Sequence, residues 1–458
     1  MVRKLLFPVT AAILLVISCN MPIGFGDDDD ESGESAADGS GDEFFEENDD
    51  EEFEDEPVPV IDEEGIFLRD FSFDLPLFSP DSAWNQRADD AAVLDESDEQ
   101  MLSLYRVLLG DISTLEGYDE PATDWPYMDV GMYEYTVPIS RVGDGSQDVF
   151  ICEDEGVIGW AHPKFGIETE GGPVTVPAPA GVVRPAGPES SDADAWLVLY
   201  DPDSFTAYDY FAARPFRDDE CMGFAGGQVG NEILQAGVVD FFDLRGPGAN
   251  PDGYYSARAV GTPLLAGLIL PEDIESGEIG HALSFAIPGP RNTARDPFEP
   301  KAADYFYPAS TTETDFYNTD PSALASGQRI RLKQSIVDEE GQVIDESEFS
   351  PITQMYLDAL RNYGAYLVDN AGGFTFYAED VHTALLHLSD DEVNALIGEP
   401  AGTPIPDGMT KWQVVMEKLN EEITWIPFAV SPGDGETDPE SAEIEVANFE
   451  VVWPVYRP

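Results

Sequence analysis

Apolar and polar positions alternate in short runs from about residue 71 to residue 380, a pattern typical of strands joined by turns. The segment 195–213, AWLVLYDPDSFTAYDYFAA, holds two such runs on either side of Asp201-Pro202-Asp203-Ser204. Asp, Pro and Ser favour turns, so this segment predicts a hairpin. Further strands are predicted in VVDFFDLRGPGANPDGYYSARAVGTPLLAGLIL, HALSFAIP, QRIRLKQSIV, ITWIPFAV and ANFEVVWPVY.

Four short helices are predicted where a capping residue precedes a helical period of apolar residues. The candidate N-caps are Ser97, Ser350, Ser389 and Thr410. Three of them fit the S/T-x-x-E/Q capping box, while Ser350 precedes a Pro in the first helical turn. Gly364 ends the second helix. The predicted fold class is therefore mainly β, a β-sandwich or jelly roll with a few short surface helices.

The first residues have the features of an export signal. Arg3 and Lys4 precede an apolar stretch over 5–17, which has the length of a secretory h-region and is too short to span a bilayer. Val16-Ile17-Ser18-Cys19 then resembles the bacterial lipobox, which implies acylation of Cys19 and a membrane anchor. The alternative is an ordinary signal peptide with an incidental cysteine.

A strongly acidic segment follows the predicted signal. Residues 27–56 hold 18 Asp or Glu and no Lys or Arg. Such a segment repels itself and predicts an extended tether, with cation collection as the alternative. The predicted organisation is a signal peptide over 1–19, a disordered acidic tether over 20–65, a β-rich main domain over 66–400, and a C-terminal helix and strands over 401–458 packed on it.

The charge balance limits the class of partner. The chain has a net charge of −70, and without the 18 acids of residues 27–56 and the two basic residues of the signal the body still carries −54. Nucleic acid is excluded as a partner, because its binding depends on Lys and Arg. The same field repels anionic polysaccharides unless a basic patch intervenes. Abundant carboxylates with only 6 Lys against 16 Arg suggest a salty, halophilic-like habitat.

Two cysteines remain if Cys19 is acylated. The oxidising compartment of an exported protein favours a disulfide between Cys152 and Cys221, and the alternative is two free buried thiols. The chain lacks close CxxC spacing, HExxH, P-loop and GxGxxG motifs. The sequence therefore predicts no metal site and no cofactor.

Five separated stretches resemble a widespread, largely uncharacterised family of secreted bacterial β-rich proteins. They are SPDSAWN (79–85), VLYDPDSFTAYDYFAA (198–213), GTPLLAGLILPEDIESGEIGHALSF (261–285), GQRIRLKQSI (327–336) and LDALRNYGAYLVDNAGGFTFY (357–377). Their order and spacing agree over residues 72–398. Some members look like parts of carbohydrate-active proteins, so the resemblance implies a secreted protein in a carbohydrate context.

Candidate catalytic residues lie within or beside these stretches. His281 is a candidate general base or acid near pH 7, and Asp243 and Asp369, at strand ends, are its candidate carboxylate partners. Arg331 and Lys333, two residues apart on one predicted strand, could clamp a substrate carboxylate. The alternatives are a structural histidine, a turn at Asp369, and cations bound to neighbouring acids.

Aromatic residues could stack on sugar rings. Trp84 and Tyr255 are the leading candidates, and the others are Tyr254, Tyr363, Phe374 and Tyr377; the alternative is that these rings are core. The sequence thus predicts a lipid-anchored cell-envelope protein, at the outer membrane or cell surface, acting as a polysaccharide hydrolase or lyase. The alternatives are a non-catalytic lipoprotein that binds glycan or protein, and a structural envelope protein.

Overall fold

The structure, a computed structural model, describes residues 67–116, 127–152, 159–165, 173–187, 194–217, 227–293, 304–312, 317–431 and 443–453. The predicted signal, Cys19, the acidic tether and Cys221 lie outside these residues, so what was predicted for them stays a prediction. Within the described ranges, no helix has the length and apolar character needed to cross a membrane.

The described residues form five α-helices and seventeen strands, which confirms the mainly β class. The helices are α1 (Ser97–Leu108), α2 (Pro271–Ser276), α3 (Pro351–Asn362), α4 (Asp390–Leu396) and α5 (Lys411–Ile423). The strands are β1 (Leu115–Glu116), β2 (Met128–Gly131), β3 (Ile139–Ile151), β4 (Trp160–Ala161), β5 (Pro173–Pro179), β6 (Leu197–Asp201), β7 (Thr206–Phe211), β8 (Gln235–Ala236), β9 (Val238–Asp243), β10 (Leu283–Ile287), β11 (Tyr317–Asn318), β12 (Arg329–Leu332), β13 (Ala365–Asn370), β14 (Phe374–Tyr377), β15 (Ala429–Val430), β16 (Val446–Ala447) and β17 (Phe449–Val452).

A six-stranded mixed sheet has the order β17-β12-β13-β10-β14-β2. Strand β10 runs parallel to β13, and β14 runs parallel to β2, while the other neighbours are antiparallel. All five residues of β10 are buried, although HALSFAIP alternates in sequence. Phe285 faces a helix-covered core, and Ala286 faces the second sheet. Both faces of this strand are therefore covered.

A seven-stranded sheet has the order β4-β9-β7-β6-β3-β5, with β8 paired to β3. The predicted hairpin is present, since β6 and β7 are antiparallel and Asp201 pairs with Thr206. The side chain of Asp201 accepts hydrogen bonds from the amides of Asp203, at 3.0 Å, and Ser204. This is the turn chemistry that the sequence predicts.

Three clusters of buried apolar residues separate the layers. The first packs α1, α3 and α5 against one face of the six-stranded sheet, with Leu104, Tyr356 and Met416 among its members. The second contains residues of both large sheets, Val198 and Val368 among them. The third lies on the far face of the seven-stranded sheet. The segment predicted to pack on the main domain supplies α5 to the first cluster and β17 to the six-stranded sheet.

Helix ends follow the predicted signals with one exception. The Ser389 capping box and the Thr410 cap are both present, and α3 begins after Ser350 with Pro at its start. Helix α1, however, has Glu96 as its N-cap, and the Ser97 hydroxyl instead accepts a hydrogen bond from the amide of Val451 at 2.8 Å. The prediction of a Ser97 cap is therefore wrong, because a tertiary contact takes its side chain.

The junction between α3 and β13 depends on a glycine. Gly364 has φ +67°, in the left-handed region, and a Cβ there would lie 2.3 Å from the carbonyl oxygen of Ile330. Only glycine fits both conditions. Further along, ITWIPFAV forms a strand only at Ala429–Val430, because α5 extends to Ile423.

Candidate functional site

Six rings form a continuous surface at one edge of the seven-stranded sheet. We call this surface the aromatic platform; it consists of Trp160, His162, Phe165, Tyr208, Phe241 and Tyr254. Neighbouring ring centroids lie between 4.7 Å (His162 to Phe241) and 6.5 Å (His162 to Phe165). All six side chains are half-buried rather than core. An edge of contacting, partly exposed rings is a feature of binding surfaces.

The sheet register brings these rings together. Tyr208 on β7 pairs directly with Phe241 on β9, so both rings stand on one face. The edge strand β4 pairs with β9 in parallel and positions Trp160, and the amide of His162 donates to the carbonyl of Val239 at 3.0 Å. Residues from four separate segments thus meet at one edge.

The platform also carries polar groups. His162 Nδ1 accepts a hydrogen bond from the amide of Lys164 at 3.1 Å, so the ring proton lies on Nε2. Burial, and then the charge of Lys164, lower the pKa of His162, so its imidazole is neutral at pH 7. Within the described residues, Nε2–H of His162, Nε1–H of Trp160 and the hydroxyls of Tyr208 and Tyr254 have no hydrogen-bond partner. Each of these four side chains therefore combines an apolar ring with a polar group that has no partner among the described residues.

A cation lies against the platform. The Nζ atom of Lys164 is 4.0 Å from the ring centroid of Phe241, which is cation–π geometry. In a body with a net charge near −54, this ammonium gives the platform a less negative surface than its surroundings.

Sequence reasoning singled out Tyr254 but missed the other five rings. The segment 159–165, GWAHPKF, places Trp160 and His162 two residues apart, which was a usable signal. The cross-strand pairing of Tyr208 with Phe241 depends on register, which no local pattern in the sequence contains.

His281 does not have the geometry of a general base. Its Nδ1 lies 3.0 Å from the carbonyl oxygen of Ala282, and its Nε2 lies 3.2 Å from Oδ2 of Asp273. Both neighbours are acceptors, so the imidazolium form, which donates from both ring nitrogens, satisfies both contacts. Although burial opposes it, the Asp273 charge raises the pKa of His281.

The space beside His281 is also too small for a substrate. A cavity of about 10 Å³, lined by His281, Trp84 and apolar neighbours, holds about one water molecule. The structure therefore brings His281 and Trp84 together, but in the interior and without room for a sugar.

Of the predicted cationic clamp, the Arg331 side chain is bound by other residues of the chain. Arg331 Nε donates to Glu450 Oε1 at 3.0 Å, and Arg331 Nη1 donates to the carbonyl of Asp89 at 2.9 Å. Lys333 lies just past the end of β12, half-buried, and its carbonyl accepts from Arg361. These contacts correspond to the alternative in which Arg331 is salt-bridged to a neighbouring acid.

The predicted carboxylate partners lie in different surroundings. Asp243 is exposed at the end of β9, and its Oδ1 accepts from Nε of Arg245 at 3.2 Å. Asp369, in β13, is half-buried and acts electrostatically on Arg258, which is fully buried between the sheets. Burial lowers the pKa of Arg258, and Tyr377, Asp369 and Asp209 oppose that shift. Asp369 therefore balances a buried charge, and Asp243 belongs to a surface pair.

The two leading stacking candidates are core residues. Trp84 is 1% exposed and Tyr255 is 5% exposed. Trp84 Nε1 donates to the carbonyl of Gly248 at 2.8 Å, and its ring lies 5.1 Å from that of Tyr366. Both rings lie in the interior, which corresponds to the alternative that these rings are core, and their predicted substrate role stays a prediction.

A buried charge cluster ties the first described residues to the body. Arg69 Nε donates to Oε1 of Glu379 at 2.8 Å, and Arg69 Nη2 donates to Oε2 of Glu272 at 2.6 Å. All three residues are buried. Burial raises the pKa of Glu379 to about 7, against the opposing effect of Arg69. No local pattern in the sequence indicates this cluster, because Glu272 and Glu379 lie 203 and 310 residues from Arg69.

Cys152 is buried and disulfide-bonded. Its predicted partner, Cys221, lies outside the described residues, so the pairing stays a prediction. Among the described residues, no group of three or more His, Cys, Asp or Glu could hold a metal ion.

Comparisons with known proteins gave no match: no family model matches the chain, and no curated protein and no solved structure is significantly similar to it. The resemblance based on the five sequence stretches therefore stays a prediction. The inference of function rests on the geometry of the described residues.

Proposed function

We propose that the chain is a lipid-anchored protein of the cell envelope, at the outer membrane or cell surface, that binds neutral glycan without cleaving it. The observation that carries this proposal is the aromatic platform, six contacting, half-buried rings, four of which carry a polar group without a partner among the described residues. Pyranose rings have apolar C–H faces, which stack on aromatic rings, and hydroxyls, which pair with groups such as Nε2–H of His162 and Nε1–H of Trp160.

The charge of the body supports a neutral glycan. A net charge near −54 repels anionic polysaccharides at long range, and Lys164 is a single cation on the platform. A neutral glycan chain is not repelled by this charge.

The contacts of the predicted catalytic residues favour binding over the predicted hydrolase or lyase activity. His281 has both ring nitrogens occupied, and Arg331 is held by Glu450. Asp243 and Asp369 have partners in other parts of the fold. General acid–base work needs these groups within hydrogen-bond reach of one substrate atom.

The finer fold class, a β-sandwich, is part of the same proposal. Its support is the second cluster, where Val198 and Ala207 of the seven-stranded sheet share a core with Tyr366 and Val368 of the six-stranded sheet. Face-to-face sheet packing produces such a shared core.

The binding test is affinity electrophoresis of the full chain in gels that contain neutral β-glucan, xylan or mannan. We expect retardation by at least one of them, and Trp160→Ala and Phe241→Ala should each weaken binding about tenfold or more, since tenfold corresponds to about 1.4 kcal/mol. Trp425→Ala is the matched control, because Trp425 is 72% exposed and lies outside the platform.

Retardation that persists in both platform variants would refute the platform as the site, and no retardation by any glycan would refute glycan binding. Reducing ends or unsaturated products released from the same panel would instead support the hydrolase or lyase. The anchor is tested separately: a labelled fatty acid should be incorporated into the wild type and not into Cys19→Ser.

A further inference from the structure

A pocket lies at the other face of the seven-stranded sheet, apart from the aromatic platform. It has a volume of about 280 Å³ and forms where the segment 73–80 meets the β6–β7 turn and the loop after β9. The amide of Ser79 donates to the carbonyl of Gly246 at 2.8 Å, and the amide of Leu244 donates to the carbonyl of Phe205 at 2.8 Å. Backbone hydrogen bonds thus hold the three walls together.

The walls of this pocket are aromatic. Phe73, Phe78, Tyr200 and Phe205 line it, together with Leu77, Leu244 and two prolines. The ring centroids of Phe73 and Tyr200 lie 4.8 Å apart. A pocket of this size accommodates one small molecule rather than a glycan chain, since pockets for drug-sized ligands begin near about 300 Å³.

Two of the four aromatic residues have strained backbones. Phe78 has φ +69° and Phe205 has φ +57°, in the left-handed region that bulky residues rarely adopt. Phe205 ends the four-residue turn between β6 and β7, a position at which Gly or Asn is usual. Strain of this kind clusters at ligand sites, where the side chain is needed despite the conformational cost.

The charges around the pocket favour a cation. Asp74 lines it, is exposed, and has no hydrogen-bond or ion-pair partner within the described residues. Arg245 also lines it, but Asp243 neutralises its guanidinium at 3.2 Å. That guanidinium lies 4.8 Å from the ring centroid of Phe205, which is cation–π geometry.

We propose that this pocket binds a small organic cation, a primary amine or a quaternary ammonium group, with Asp74 as its counter-ion and the half-buried lining side chains Phe205 and Leu77 against its alkyl groups. Aromatic walls with one carboxylate are the recurring means of recognising quaternary ammonium groups. The negative field of the whole body adds to the attraction and concentrates cations near the pocket.

The test is calorimetric titration of the full chain with choline, with its uncharged isostere 3,3-dimethylbutan-1-ol as the comparison. We expect one choline site and at least about tenfold weaker binding of the isostere. Asp74→Asn should weaken choline binding to a similar degree. Asp203→Asn is the matched control, because Asp203 is an exposed acid in the neighbouring turn that does not line the pocket.

Phe205→Gly separates binding from folding. Glycine adopts φ +57° without strain, so the melting temperature should stay the same or rise while choline binding is lost. Equal binding of choline and its isostere, no binding of choline at millimolar concentration, or equal weakening by Asp74→Asn and Asp203→Asn would each overturn the proposal. Loss of glycan binding in the platform variants does not bear on this site.

Discussion

The Nε2 atom of His281 lies 3.2 Å from Oδ2 of Asp273, and both side chains are buried. Asp273 also caps α2, since the same Oδ2 accepts a hydrogen bond from the amide of Leu270 at 2.9 Å. An interior ion pair that also holds a helix end has a structural role. The contacts of His281 thus correspond to the alternative of a structural histidine.

Replacing His281 by Gln should destabilise the fold in a pH-dependent way. Because Asp273 raises the folded-state pKa of His281 above its ordinary value of 6.5, the pair's stabilisation is fully present below that pH. It is lost as the pH rises through the folded pKa. We expect the free energy of unfolding to fall by about 3 kcal/mol at acidic pH and by less in alkali, measured by urea denaturation.

The exposed His387 provides the control for this experiment. His387→Gln should change the free energy of unfolding by less than about 0.5 kcal/mol at either pH. A penalty for His281→Gln that grows with pH would contradict the imidazolium assignment.

Removing the Arg69 side chain should lower the stability of the fold, because it leaves Glu272 and Glu379 buried without their shared cation. We expect Arg69→Met to lower the free energy of unfolding by about 3–5 kcal/mol at neutral pH. The folded pKa of Glu379 is raised from 4.5 to about 7, so its ionisation costs stability as the pH rises through that range. The loss should therefore be smaller at about pH 5 than at about pH 8 in denaturant titrations.

Arg87→Met tests whether this effect depends on burial. Arg87 pairs with Asp89 at the surface, where its side chain is 52% exposed. Exposed pairs contribute about 0–1 kcal/mol, so this variant should remain close to the wild type at both pH values. Equal losses in the two variants would be inconsistent with the buried cluster.

Trp84 should affect stability and not ligand binding. Trp84→Ala removes a ring that is 1% exposed, together with its hydrogen bond to Gly248. We expect a loss of about 3–5 kcal/mol in the free energy of unfolding by calorimetry or denaturant. Trp84→Phe, which keeps most of the packing, should lose less, and its retardation by neutral glycans should match the wild type. Selective loss of glycan binding in Trp84→Phe would restore the stacking role.

Gly364 should tolerate no side chain. Gly364→Ala places a Cβ 2.3 Å from the carbonyl oxygen of Ile330 at φ +67°. We expect a marked fall in melting temperature, equivalent to more than about 1–2 kcal/mol. Gly372→Ala is the control, since nothing lies within 4 Å of a Cβ there. Similar melting temperatures for both variants would contradict the close approach of α3 to β12.

Local patterns in the sequence determined where the β6–β7 hairpin and several helices form. The hairpin around Asp201 and the helix between Ser350 and Gly364 appear at the predicted positions, because turn and capping preferences act within a few residues. The prediction of a Ser97 cap was wrong because of a long-range contact. The Ser97 hydroxyl accepts a hydrogen bond from the amide of Val451, 354 residues away.

Tertiary structure alone decided which residues are exposed together and therefore which could form a site. His281 and Trp84 have the composition of functional residues, yet sheet packing buries both beside a cavity for one water. Tyr208 and Phe241 are unremarkable in sequence, and the register of β7 against β9 places them side by side. Burial and cross-strand neighbours are set by contacts between distant segments, and a local pattern of residue types does not contain them.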